Sequence, residues 1–231
     1  MSLGKRWLVP ALVVGAVLAY SHHRRRDLGR LLENLRRYSA PNAILYDSVT
    51  APLLSGFFTQ VARDLAELAP RARVLEVGSG PGRLAMKLAG LAPDTRVTGV
   101  DISPEMVERA NALAARSRVA DRVRFVEGDV ASLPLAEASF DAVVSTFSLH
   151  HWPSPAEGLA EIYRVLRPGG VLRIYDVADW IRRFEREGSG LAEVAGQSPF
   201  GARGEWRQGI ASRLGPIPLV YRAELLKSEG T

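Results

Sequence analysis

The chain has 231 residues, a formal net charge of +5 and no cysteine. That length supports one α/β domain with a sizeable core plus short additions. The missing thiols exclude disulfides, thiolate zinc sites and cysteine nucleophiles.

The positive excess gathers near the N-terminus. Residues 7–21 (WLVPALVVGAVLAYS) carry no charge, Lys5 and Arg6 precede them, and Arg24, Arg25 and Arg26 follow. Fifteen helical residues span roughly 22 Å against a hydrocarbon core of roughly 30 Å, a gap that snorkelling arginines and local thinning of the bilayer can close. Three readings compete here: a short membrane anchor, which the length and flanks favour; a signal peptide cleaved after Val17-Leu18-Ala19; and an apolar helix packed on the domain. The arginines on the C-terminal side predict that this side is cytoplasmic. In residues 24–38, Leu28, Leu31, Leu32 and Leu35 form one apolar helical stripe among arginines. Such a helix suits an anionic membrane surface and equally an ordinary docked position with a solvated basic face. Nucleic acid also fits a basic patch, but aromatic and basic residues do not interleave as in single-strand binders, and no nucleic-acid partner is expected.

Residues 39–47 read as a loop and 49–68 as a helix. Strands are then predicted near 73–77, 96–100, 123–127, 140–145 and 171–176, with helices near 82–91, 104–116 and 156–166. Strands alternating with helices predict an α/β fold, a Rossmann-like, mostly parallel sheet with helices on both faces. Residues 178–187 carry a weak helical pattern. Residues 188–205, with five glycines and a proline, read as a loop or flap, and Pro218–Leu226 as a last strand. The predicted organisation is an apolar segment at 1–23, a basic helix and linker at 24–48, and the main domain at 49–231.

Val74 to Gly82 reads VLEVGSGPG: an apolar strand, the acid Glu76, then Gly78, Gly80 and Gly82 at every second position around Ser79. Strand, glycines and helix in this order make a ligand turn, because glycine tolerates strained backbone and the helix N-terminus offers free N–H groups. Nineteen residues after Gly82 comes Asp101, the distance at which an acid reaches a bound ribose. The dinucleotide fingerprint fails, since its third glycine would fall on Arg83. Ser103, followed by Pro104 and Glu105, suits the next helix's N-cap, which relieves Asp101 of that task.

Acid-x-Gly-x-Gly-x-Gly resembles the first motif of the class I S-adenosylmethionine-dependent methyltransferases, and the likeness extends through roughly residues 42–177. Val97 to Ser103 is similar to the family's ribose motif, and the stretch ending Glu127-Gly128-Asp129-Val130 to its adenine motif. Phe140 to Trp152 and Leu166 to Gly170 (LRPGG) are similar to later landmarks. The resemblance implies S-adenosylmethionine as cofactor. Gly78, Ser79, Gly80 and Gly82 would hold its methionine part with Glu76 near the amino group. Asp101 would hold the ribose, Ile102 would flank the adenosine, Asp129 and the Val130 backbone would meet the adenine, and Thr146 would line the cleft. Each has a plainer reading: a strand-to-helix turn, a capping carboxylate, an N-cap, turn chemistry at Gly128-Asp129.

His150 and His151 are the candidate catalytic residues, one of them as a general base; in extended backbone both cannot face one site. The plainer reading is a structural histidine bonding the loop. No metal is expected, as no third ligand has suitable spacing. Tyr46, Phe147 and Trp152 are candidate aromatics for a sulfonium charge. The Leu-His-His-Trp and Leu-Arg-Pro-Gly-Gly segments resemble the small-molecule methyltransferases, including those of quinone biosynthesis. The expected protein methylates a small acceptor from the membrane, a lipid-soluble one being what an apolar anchor would suit, with its catalytic domain cytoplasmic; a wholly cytoplasmic protein is the alternative location. The alternative function is a non-catalytic scaffold that keeps the cofactor fold.

Overall fold

Runs of apolar residues broken by glycine turns build the centre of this protein. The computed structural model describes residues 51–68, 71–177, 195–196, 198–203, 205–214 and 217–229. The apolar segment 7–21, the basic helix 24–38, Tyr46 and the weak helix 178–187 lie outside the described residues. In chain order the elements are α1 (Ala51–Leu68), β1 (Arg73–Val77), α2 (Arg83–Leu91), β2 (Arg96–Asp101), α3 (Pro104–Ala115), β3 (Val123–Glu127), β4 (Phe140–Thr146), a 3-10 turn (Leu149–His151), α4 (Pro155–Val165), β5 (Leu166–Val177), α5 (Pro199–Arg203), β6 (Glu205–Leu214) and β7 (Ile217–Leu226).

The seven strands form one sheet in the order β3-β2-β1-β4-β5-β7-β6. The first five are parallel, and β7 is antiparallel to both of its neighbours. The interior strands β1, β2 and β4 are buried along almost their whole length, as a parallel sheet covered on both faces requires. Edge strand β3 alternates instead, with Val123 and Phe125 buried and Arg124 and Glu127 exposed. Asn111 of α3 guards that edge: its side-chain amide donates to the Phe125 carbonyl (2.9 Å) and its oxygen accepts the Phe125 N–H (3.1 Å), which removes two groups open to another strand.

The order reverses between β1 and β4. Right-handed crossovers leading away from that point lay α2 and α3 on one face and α4 on the other. Leu75, Val143, Leu172 and Ile174 of the sheet are fully buried in one cluster with Leu159 and Ile162 of α4. α3 begins as expected: the Ser103 hydroxyl accepts the Met106 N–H (3.3 Å), Pro104 opens the helix and Glu105 sits in its first turn.

Three elements differ from the sequence expectation. β5 starts at Leu166 rather than 171, because Leu166 already pairs with Phe140 before four residues bulge and pairing resumes at Ala142↔Val171. Gly169, in the left-handed region at φ 73°, turns the bulge, and its N–H donates to the Lys227 carbonyl (3.0 Å). Residues 188–205 are not all loop, since they contain α5 and the first residue of β6. β6 itself was not anticipated; it pairs antiparallel with β7 through two register shifts.

Candidate functional site

The reversal of strand order leaves a crevice outside the carboxyl ends of β1 and β4; the candidate cofactor residues lie near the carboxyl ends of β1 to β4 or on the loops that follow them, whereas the Leu166–Gly170 segment lies at the start of β5. After β1 the chain turns through Gly78, Gly80 and Gly82 with φ of 68°, 50° and 77°. The Gly78 and Ser79 N–H groups both donate to the Val100 carbonyl (2.9 and 3.0 Å), so β2 fixes the start of the turn. A Cβ on Gly82 would lie 2.2 Å from the Phe125 ring, and one on Gly78 2.0 Å from the Ser148 hydroxyl. Those two glycines exist because the protein packs against them. Gly80 is different: a Cβ there would meet nothing within 4 Å. Its backbone borders open space while its φ still demands glycine.

Two acids stand behind this turn. Glu76, in β1, is 2% exposed, and its Oε2 accepts the Ala85 N–H in the first turn of α2 (3.0 Å). Burial pushes its carboxyl up to about 8, and the nearby Asp101 charge pushes the same way. Asp101 closes β2. Its Oδ2 accepts the Gly80 N–H (2.7 Å) and its Oδ1 the Ser103 N–H (3.0 Å); burial raises this carboxyl too. Ser103 thus caps α3 as expected, yet Asp101 is engaged rather than free: it reaches back and holds the glycine turn. Each carboxylate oxygen accepts more than one bond, so both keep a lone pair for a further donor. Neither acid is ion-paired among the described residues. Ile102, next to Asp101, is 66% exposed, an unusual position for a large apolar side chain on an ordered strand end. Open backbone, one buried and one half-buried acid with no ion-pair partner among the described residues, and an uncovered apolar side chain suit a ligand with positive charge, hydroxyls and an apolar ring.

Beside these, the Gly128 N–H donates to the Asp101 carbonyl (3.0 Å), which draws the end of β3 to the end of β2. Asp129 Oδ1 accepts the Ala131 N–H (2.9 Å), the bond of an ordinary Asx turn, so its turn role is filled by one oxygen. Val130 is core, 8% exposed. Thr146 ends β4 and is also mostly buried. Phe147 follows with φ 53°, a costly conformation for an aromatic residue; its N–H donates to the Tyr175 carbonyl (2.8 Å) and its ring meets Phe58 edge to face. Trp152 belongs to the core, and its indole N–H donates to the Ser148 hydroxyl (2.9 Å).

The two histidines lie on a 3-10 turn, not in extended backbone, and their rings are 4.0 Å apart. The constraint drawn from alternation therefore does not apply. What separates them is environment: His151 is exposed, whereas His150 Nδ1 lies 2.7 Å from Asp176 Oδ1 and the His150 N–H donates to Asp176 Oδ2 (3.2 Å). Asp176, near the end of β5, is fully buried. The sequence reading passed over it, together with Phe125 and Ser148; the available signal was an acid ending the fifth strand. Among the described residues, no group of three His, Cys, Asp or Glu side chains could hold a metal ion, and no helix is long and apolar enough to cross a membrane.

Comparison with known proteins matches residues 75–174 to a methyltransferase domain family. The chain is 34% identical over 149 residues to a demethylmenaquinone methyltransferase of Deinococcus radiodurans, covering 64% of this chain and 61% of that protein. It is 45% identical over 104 residues to the 27-O-demethylrifamycin SV methyltransferase of Amycolatopsis mediterranei, covering 45% of this chain and 38% of that one. It thus spans less than two thirds of these relatives' length. A solved SAM-dependent methyltransferase from Aquifex aeolicus superposes with a TM-score of 0.62 at 20% identity, over 82% of this chain and 99% of that one, a likeness of fold. Sheet order and glycine turn agree with that match: residues 75–174 are similar to the methyltransferase domain family.

Proposed function

We propose that the protein transfers the methyl group of S-adenosylmethionine to a small, lipid-soluble acceptor. One observation carries the cofactor site: the turn is open at Gly80 and backed by the buried Glu76 and the half-buried Asp101, neither ion-paired among the described residues. In this reading Gly78, Ser79, Gly80 and Gly82 would border the methionine end, and Glu76 would face the ammonium group, which would favour the ionised carboxylate. Asp101 would accept from the ribose hydroxyls with the lone pairs left beside Gly80 and Ser103, Ile102 would flank the adenosine, and Asp129 and the Val130 backbone would meet the adenine beside Thr146. When bound, the cofactor supplies an already activated methyl electrophile. The chain's task is to align an acceptor with it and keep water out.

The relatives act, by their names, on demethylmenaquinone and on 27-O-demethylrifamycin SV, which favours a small-molecule acceptor. Membrane attachment rests on the apolar segment 7–21 and its flanking Lys5, Arg6 and Arg24 to Arg26; it would keep the crevice near the bilayer on the cytoplasmic side. Membranes incubated with the protein and methyl-labelled cofactor test this. Label in the organic extract supports it, reduced when residues 1–48 are deleted. Label absent from that extract with either form refutes the lipid-soluble acceptor.

A further inference from the structure

Register sets Glu76, Gly99 and Phe125 side by side across β1, β2 and β3, and paired strand positions put their side chains on one face. The middle residue of that row is glycine, so no side chain rises from β2 there. The Phe125 ring fills the space: a Cβ on Gly99 would lie 2.3 Å from its Cδ1 and 2.6 Å from its Cε1. The tip of the ring goes further. Its Cζ stands 2.2 Å from where a Cβ on Gly82 would be. A side chain rooted in the edge strand thus reaches over β2 to the turn that follows β1. A glycine inside a strand marks such a close approach, and here one ring requires two of them. Phe125 is itself fixed. It is 4% exposed, and the Asn111 side chain bonds both its carbonyl (2.9 Å) and its N–H (3.1 Å). Hydrogen bonds to β2 hold the turn at Gly78, Ser79 and Gly80. At Gly82 the bonds are to Ser79 within the turn and to Met86 of α2, and the contact with the sheet is the Phe125 ring.

We propose that Phe125, pinned by Asn111, is a positioning residue for the cofactor: it props the glycine turn at Gly82 and so holds the Gly80 backbone against Asp101 in the shape that receives S-adenosylmethionine. This rests on the methyltransferase reading above. Phe125 acts through the turn, from beneath it. A binding surface already held in its bound shape loses less affinity to ordering, and first contacts are only as precise as the packing behind them. Without the ring tip, Gly82 would stand over a gap, and the turn would have to be ordered by the cofactor itself. A Phe125 that served burial alone would matter for stability and not for affinity. Leucine and methionine separate the two roles. They bury similar apolar volume, but leucine branches close to the backbone and stops short of Gly82, whereas the unbranched methionine extends as far as the ring and fills irregular space.

The test is calorimetric titration of the full chain with S-adenosylmethionine, beside chemical denaturation of each variant. Phe125→Leu should stay folded and bind the cofactor about tenfold more weakly than the wild type. Phe125→Met should bind within about twofold of the wild type, because it keeps the reach. Asn111→Ala alters an exposed residue, leaves the core in place, and should weaken binding about fivefold by freeing the Phe125 backbone. A folded Phe125→Leu that binds like the wild type, leucine and methionine variants that lose affinity equally, or an Asn111→Ala that binds like the wild type would each overturn the proposal. Should Phe125→Leu unfold, Asn111→Ala and Phe125→Met still decide it. Failure of the wild type to bind the cofactor would instead overturn the methyltransferase reading beneath it.

Discussion

Replacing Glu76 with glutamine tests the electrostatics of the site without changing its shape. Glu76 is 2% exposed, accepts one backbone N–H, and has its carboxyl raised from 4.5 to about 8. A folded value above the unfolded one means that the folded state binds the proton more tightly. Stability from this group is therefore complete below pH 4.5 and is lost as pH climbs towards 8. Across that window the loss accumulates at about 1.4 kcal/mol per pH unit. The glutamine variant keeps an oxygen for the Ala85 N–H but has no charge to bury, so it escapes the loss. Its stability advantage should widen by about 3 kcal/mol between pH 5 and pH 8, or roughly 10 °C in melting temperature for a domain of this size. Thermal unfolding of both proteins at pH 5, 6, 7 and 8 is the assay. Melting curves that stay parallel across the series would refute a buried, proton-holding Glu76. The same variant should bind the cofactor more weakly, because it cannot ionise towards an ammonium group.

The glycines should separate by function. Gly80→Ala costs about 1 kcal/mol for its left-handed φ and meets no atom, yet it should weaken cofactor binding at least tenfold, because its methyl enters the open space. Gly82→Ala drives a Cβ into the Phe125 ring and should cost about 3 kcal/mol, seen in chemical denaturation. Ser148→Ala leaves the Trp152 indole N–H buried without its partner and should cost about 1–2 kcal/mol, with a change in tryptophan emission.

The central strands were legible because they are buried on both faces: Val74-Leu75 and Ala142-Val143-Val144 have to be apolar wherever they stand. Ser103-Pro104-Glu105 announced a helix start because capping is chemistry local to three residues. The outer hairpin was not legible. β6 reads EWRQGIASRL, in which a glycine and two register shifts break the alternation, and its pairing is decided by β7. The bulge at Pro168-Gly169-Gly170 reads as a turn that ends one element and begins another, whereas β4 and β7 keep it within a single strand. The site divides the same way. Its motif residues were found, but which glycine faces open space depends on Phe125 and Ser148, 43 and 70 residues away from Gly82 and Gly78. The Asp176 partner of His150 comes from another strand, 26 residues on. Spacing along the chain carries no record of such contacts.

Titration of the full chain with S-adenosylmethionine by calorimetry, beside Asp101→Ala, tests the central claim most directly. The account predicts saturable one-site binding by the wild type and a loss of at least tenfold in affinity in a variant that remains folded. No binding by the wild type, or equal binding by both, would contradict it.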